Sequence, residues 1–250
     1  MSPIALATLA FALILGSLLV GTLLRSKLPE HHLSGDSKEV IRLGTALIAT
    51  LSAVVLALLF ASVRTSYEQT SYYVSRVTAD VTELDMLLEE YGPEAAPVRK
   101  ALRDSIEPLI NSIWRENAAA GGKQLAMLNP HGTSALYMLR QLKPRNDVES
   151  SLQARALQVS ADLSQVRLIL LAQPADLVSK PFAIVLVLWL MFIFATFSMS
   201  AKPNPTLTTV LCICVLSASA AIYLILELGM PFDGMMQVSN DELRRALSPL

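Results

Sequence analysis

The chain has 250 residues and a net charge of −1, and its charged fraction is only 16%, against the ~25% usual for a soluble domain. With basic residues scattered and charge near neutral, nothing marks a nucleic-acid partner. An apolar content of 53% and a mean hydropathy of +0.48 instead point to a lipid bilayer as the solvent of much of the chain.

Residues 3–24, "PIALATLAFALILGSLLVGTLL", carry no charge. A helix needs about 20 apolar residues to cross ~30 Å of hydrocarbon, so this block is a first transmembrane span. It lacks the basic n-region and the short apolar core of a cleaved secretory signal. The connection that follows, "RSKLPEHHLSGDSKEVIR", is short and charged. His31 and His32 lie in it as loop sensor candidates, because histidine titrates near neutrality; as adjacent loop residues pointing apart they make a poor metal pair. Asp36 with Glu39 has capping-box spacing, which starts a helix near Ser37.

That helix enters a second uncharged block, residues 43–63, and meets no breaker before Gly92-Pro93. Tyr67, Val74, Val77, Val81, Leu84 and Leu88 recur at helical spacing. One helix of some fifty residues is expected, partly in lipid and partly in water. Small residues within the span (Gly44, Ala46, Ala49, Ser52, Ala53) suit either close helix packing or a narrow pore with aliphatic constrictions at Leu56, Leu59 and Phe60.

Further helices are expected from Pro93 to the "AAAGG" at 118–122, between Pro130 and Pro144, and over 146–173. The last of these carries Val148, Leu152, Val159, Leu163, Val166 and Leu170 on one stripe. Two more uncharged blocks, 181–201 and 203–226, complete four spans. Cys212 and Cys214, two apart on the fourth span, point to different faces and cannot pair with each other.

The fourth span closes on Glu227. An acid in a membrane helix is expensive, and the negative end of the helix dipole disfavours it further. Its expected partner is Arg64 or Lys180, basic residues at the same level, or else the turn amides around Phe232 to Gly234. The resulting charge pair reads either as a lock between helices or as an ion or proton site at the mouth of a permeation path.

The fold class is therefore an all-α membrane protein. Residues 1–63 form a first transmembrane hairpin, 64–180 a helical extramembrane insert, 181–228 a second hairpin and 229–250 a C-terminal tail. No Walker loop, GxGxxG, HEXXH or CxxC pattern occurs, so neither an enzyme, a metal site nor a cofactor is expected. Lysine and arginine number four in the first connection and one in the last, which favours an insert outside the cytoplasm.

Four segments carry a family resemblance: "LPEHHLSGDSKEVIRLGTALIATLSAVVLALLFASVRTSYE", "YGPEAAPVR", "WLMFIFATFSMSAKPNPT" and "LILELGMPFDGMMQVSNDELRRAL". Through them the chain resembles the Bestrophin-like domain family of bacterial integral membrane proteins, distantly similar to bestrophin channels. The resemblance implies a multi-pass protein of the bacterial inner membrane that self-associates, as a pentamer if it follows bestrophins, and passes an inorganic ion. It also implies a cytosolic insert, the opposite of the charge count, and orientation stays open between the two. It nominates Ile48, Ser52, Val55, Leu56 and Leu59 of the second span as pore-lining. No clear acidic calcium-clasp motif is present. The rival reading is a non-conducting membrane sensor or scaffold whose insert binds a partner.

Overall fold

The computed structural model describes residues 3–27, 35–114, 130–172, 180–200, 204–232, 235–239 and 245. Among them are seven α-helices and no strand: α1 (Pro3–Lys27), α2 (Asp36–Tyr91), α3 (Ala96–Trp114), α4 (Pro130–Gln141), α5 (Asp147–Ala172), α6 (Lys180–Ser200) and α7 (Pro205–Leu228), with a 3₁₀ turn at Pro93–Ala95. Among the described residues four helices are long and apolar enough to cross a membrane: α1, α2, α6 and α7. The chain forms two compact units, Met1–Ser66 with Asp176–Gly229, and Tyr67–Ala175 with Met230–Leu250.

The first unit is built on α1, which packs against both α6 and α7. Ala10, Ile14 and Leu18 of α1 meet Leu186 and Phe194 of α6 and Val215 and Ile222 of α7, and Leu56 and Leu59 of α2 lie against this core. Lipid tails are as apolar as these side chains, so close packing and interhelical hydrogen bonds must supply the cohesion. The α1–α6 seam provides both. A Cβ on Gly21 would run into the carbonyl oxygen of Ala195 and come within 3.0 Å of Ser198 Cβ. The Ser198 hydroxyl donates to Leu18 O at 2.9 Å, and Arg25 Nη1 donates to Met199 O at 2.9 Å. The ends of α1 and α6 thus lie together, so spans one and three run in the same direction. Thr45, at the start of the second span, bonds to Thr196 near the end of α6 (3.2 Å between hydroxyl oxygens). The second span therefore runs opposite to the third, as two successive hairpins require.

α7 begins at Asn204, whose side chain accepts from Thr206 N at 3.2 Å while Pro205 takes the first helical position. Both are standard ways of meeting the unpaired donors of a helix start.

In the second unit α2 continues to Tyr91 and stops at Gly92, whose φ of 109° is open to glycine and strained for other residues. The expected stripe packs inward: Val74, Val77 and Val81 enter one apolar cluster, with Tyr67 partly buried against it, and Leu84 and Leu88 enter the next, which Tyr91 joins. On α5 the buried stripe starts only after Val148, which is 62% exposed. The first turn of that helix serves its cap instead, with Glu149 N donating to Asn146 Oδ1 at 2.7 Å and Arg145 N donating to Glu149 Oε2 at 2.7 Å.

The segment after the fourth span belongs to this second unit. Phe232 and Val238 are buried with Val74, Val77, Val81, Ile110 and Leu170. Trp114 packs edge-on against Phe232, and its indole N–H donates to Val238 O at 2.9 Å.

α2 and α3 are joined across their turn by ions. Arg99 grips Asp85 with two bonds, Nε to Oδ1 at 2.6 Å and Nη2 to Oδ2 at 2.7 Å, and reaches Glu89 at 2.8 Å. The Arg99 hydrogen bonds hold the Asp85 carboxyl below its ordinary range, against the opposing effect of its partial burial, and Arg103 adds to them. A carboxyl depressed in the fold contributes stability above its unfolded pKa and loses it as pH falls through the folded value. Asp85→Asn is expected to lower the stability of the insert by about 1.5–3 kcal/mol near neutral pH. The difference from wild type should shrink on acidification; thermal unfolding of both proteins at several pH values checks it.

Candidate functional site

Besides the α1–α6 seam, the second span and the end of the fourth carry polar groups inside apolar helices. Along the second span the two faces of α2 differ. Thr45, Ser52 and Val63 are buried, and Ile48, Val55, Leu56 and Leu59 are half-buried beside them. At 100° per residue these positions share one side of the helix, the side that meets the core of α1, α6 and α7. Leu43, Leu47, Thr50, Val54, Ala57 and Ala61 occupy the opposite side and are exposed, Leu47 at 63% and Val54 at 52%. Their spacing alternates four and three residues, the repeat of a helix-contact seam.

All five positions nominated as pore-lining (Ile48, Ser52, Val55, Leu56, Leu59) thus lie on the side turned toward the other helices of the same chain. Ser52 is 4% exposed, and its hydroxyl donates to Ile48 O at 2.8 Å within its own helix. Thr50 on the outer side does the same to Ala46 O at 2.9 Å. Each hydroxyl is satisfied without water.

At the end of α7, Glu227 is 3% exposed. The Tyr223 hydroxyl, one turn earlier, donates to its carboxylate. Gly229 N donates to Ile225 O at 3.0 Å and closes the last turn. Of the expected counter-charges, Arg64 is an exposed residue of α2. Lys180 begins α6, and its side chain lies outside the described residues, as do Asp233 and Gly234 of the following turn. His31 and His32 also lie outside them. Cys212 and Cys214 are both exposed on α7.

Tyr223 was not singled out in the sequence, although its place four residues before the acid is the ordinary helical signal for such a pair. Removing its hydroxyl strips a donor from a buried carboxylate. Tyr223→Phe is expected to cost about 1–3 kcal/mol, and Glu227→Gln in the same background should recover part of it. Thermal unfolding of the single and double variants in detergent gives the comparison.

A family model described as Bestrophin-like domain matches residues 8–243, nearly the whole chain. No curated protein matches, and no solved structure does.

Proposed function

Because the chain belongs to the Bestrophin-like domain family, we propose that it is a homo-oligomeric ion channel of the bacterial inner membrane, its second span lining the pore. The observation that carries this is the cover on that span. Only 11% of the apolar window of α2 is buried within the chain, against 22–33% for the other three spans. Copies arranged around an axis would use the open side of α2 as their common wall. That side is the seam Leu43, Leu47, Thr50, Val54, Ala57 and Ala61, a mainly aliphatic neck of the kind that gates by dewetting. Ile48, Ser52, Val55, Leu56 and Leu59 then back the wall and set how far each α2 leans on its own bundle.

Glu227 is balanced in this reading by Arg64 or Lys180, at the end of the lipid-embedded part where basic side chains reach water. The charge pair fixes the fourth span rather than carrying the ion. A channel of this type takes an inorganic ion and needs no organic cofactor.

The test is the mass of the purified protein in detergent. A closed ring, fivefold on the bestrophin plan, supports the pore. A monomer or dimer removes it and leaves the anchored sensor or scaffold whose insert binds a partner.

A further inference from the structure

The insert holds a buried acid that neither the channel reading nor the α2–α3 ion cluster uses. Asp80 lies on α2 between Val77 and Val81, both core residues, and is itself only 4% exposed. One of its oxygens, Oδ1, meets Arg76 Nε at 3.1 Å. The other, Oδ2, is buried without a hydrogen-bond partner. Arg76 is itself about half exposed and is shared with Asp162 of α5, its Nη2 lying 3.9 Å from Asp162 Oδ2. Glu83, one turn on along α2, is held by Arg155 of α5 at 2.6 Å. The charged groups acting on Asp80 are therefore one solvated cation, Arg76, and two acids, Asp162 and Glu83.

An ionised carboxylate with a buried, unbonded oxygen is among the costliest arrangements a core can hold. A cation would relieve it, but among the described residues no three His, Cys, Asp or Glu side chains come together to hold a metal ion. A proton relieves it with no further ligand. We propose that Asp80 is a proton-binding site of the insert, its unbonded Oδ2 taking the proton.

Burial pushes this carboxyl above its ordinary value of 3.8; Arg76 pulls it down, and Asp162 and Glu83 push it further up. A carboxyl raised in the fold gives a stability share that is complete below 3.8 and lost as pH rises through the folded value. Asp80 thus responds to acid in the opposite sense to Asp85, five residues on in the same helix.

The experiment is an infrared titration of the full-length protein in detergent, following the C=O band of protonated carboxyl groups. The wild-type protein minus Asp80→Asn difference isolates the site. A band that titrates with a midpoint above 3.8 and is missing from Asp80→Asn is the expected result. Arg76→Gln should move that midpoint up and Asp162→Asn should move it down. If Asp80→Asn does not fold, these opposite shifts of the highest carboxyl titration carry the test. A midpoint at or below 3.8, or shifts of the same sign in the two variants, overturns the proposal.

Discussion

Val54→Trp is expected to reduce ion flux to near zero while leaving the protein folded and assembled. Val54 sits on the outer seam of α2 and is 52% exposed, so an indole there can point away from its own bundle. In a ring, however, each copy would project that indole toward the axis, and a narrow aliphatic neck has no room for several. Ser52→Trp distinguishes a pore wall on the outer side of α2 from one on the inner side. Ser52 is 4% exposed on the inner side of the helix, where an extra ring overpacks the bundle and costs about 1–3 kcal/mol or more. The expected outcome at Ser52 is poor folding; at Val54 it is a stable, blocked ring. Flux in liposomes together with elution from a sizing column distinguishes the two. A folded, blocked Ser52→Trp beside a conducting Val54→Trp would place the pore wall on the inner side instead.

Gly21→Leu should break the first unit. The absent side chain of Gly21 lets α1 approach the Ala195 carbonyl of α6, and any Cβ there collides with backbone rather than with a side chain that could turn away. Separating the helices would stretch the bonds from Ser198 to Leu18 O and from Arg25 to Met199 O, both 2.9 Å now. Buried groups in lipid find no water to replace such partners. A loss above the ~1–3 kcal/mol of ordinary overpacking is expected, seen as a lower unfolding temperature in detergent. Gly16, whose Cβ would meet open space, supplies the control: Gly16→Leu on the same helix should be tolerated.

The membrane helices were legible in the sequence because lipid imposes a one-dimensional rule. The uncharged blocks at 3–24, 181–201 and 203–226 fall within a few residues of α1, α6 and α7, and the block at 43–63 lies inside α2. The long α2 was legible for a related reason: no glycine or proline interrupts it between Gly44 and Gly92, and its apolar stripe keeps helical period throughout the insert. The rest depended on contacts far apart in the chain. Trp114 and Val238 are bonded across 124 positions, and nothing around Phe232 announces that it lies in the same apolar cluster as Val77. The inner and outer sides of the second span could not be told apart either. Both are apolar with small residues, since hydropathy falls the same way toward lipid, toward a neighbouring helix and toward a dry neck. Ser52 is one of those small residues, and its hydroxyl is satisfied inside its own helix. Gly21 shows the same limit, since it matters through a carbonyl on another span.

Salt flux through the purified protein in liposomes bears most directly on the reading of this chain as a pore. Proteoliposomes loaded with chloride salt and diluted into a gradient should pass ions, and the Val54→Trp protein, reconstituted to the same density, should not. A correctly assembled ring that leaves the gradient intact would contradict the account and make the four spans an anchor for the insert.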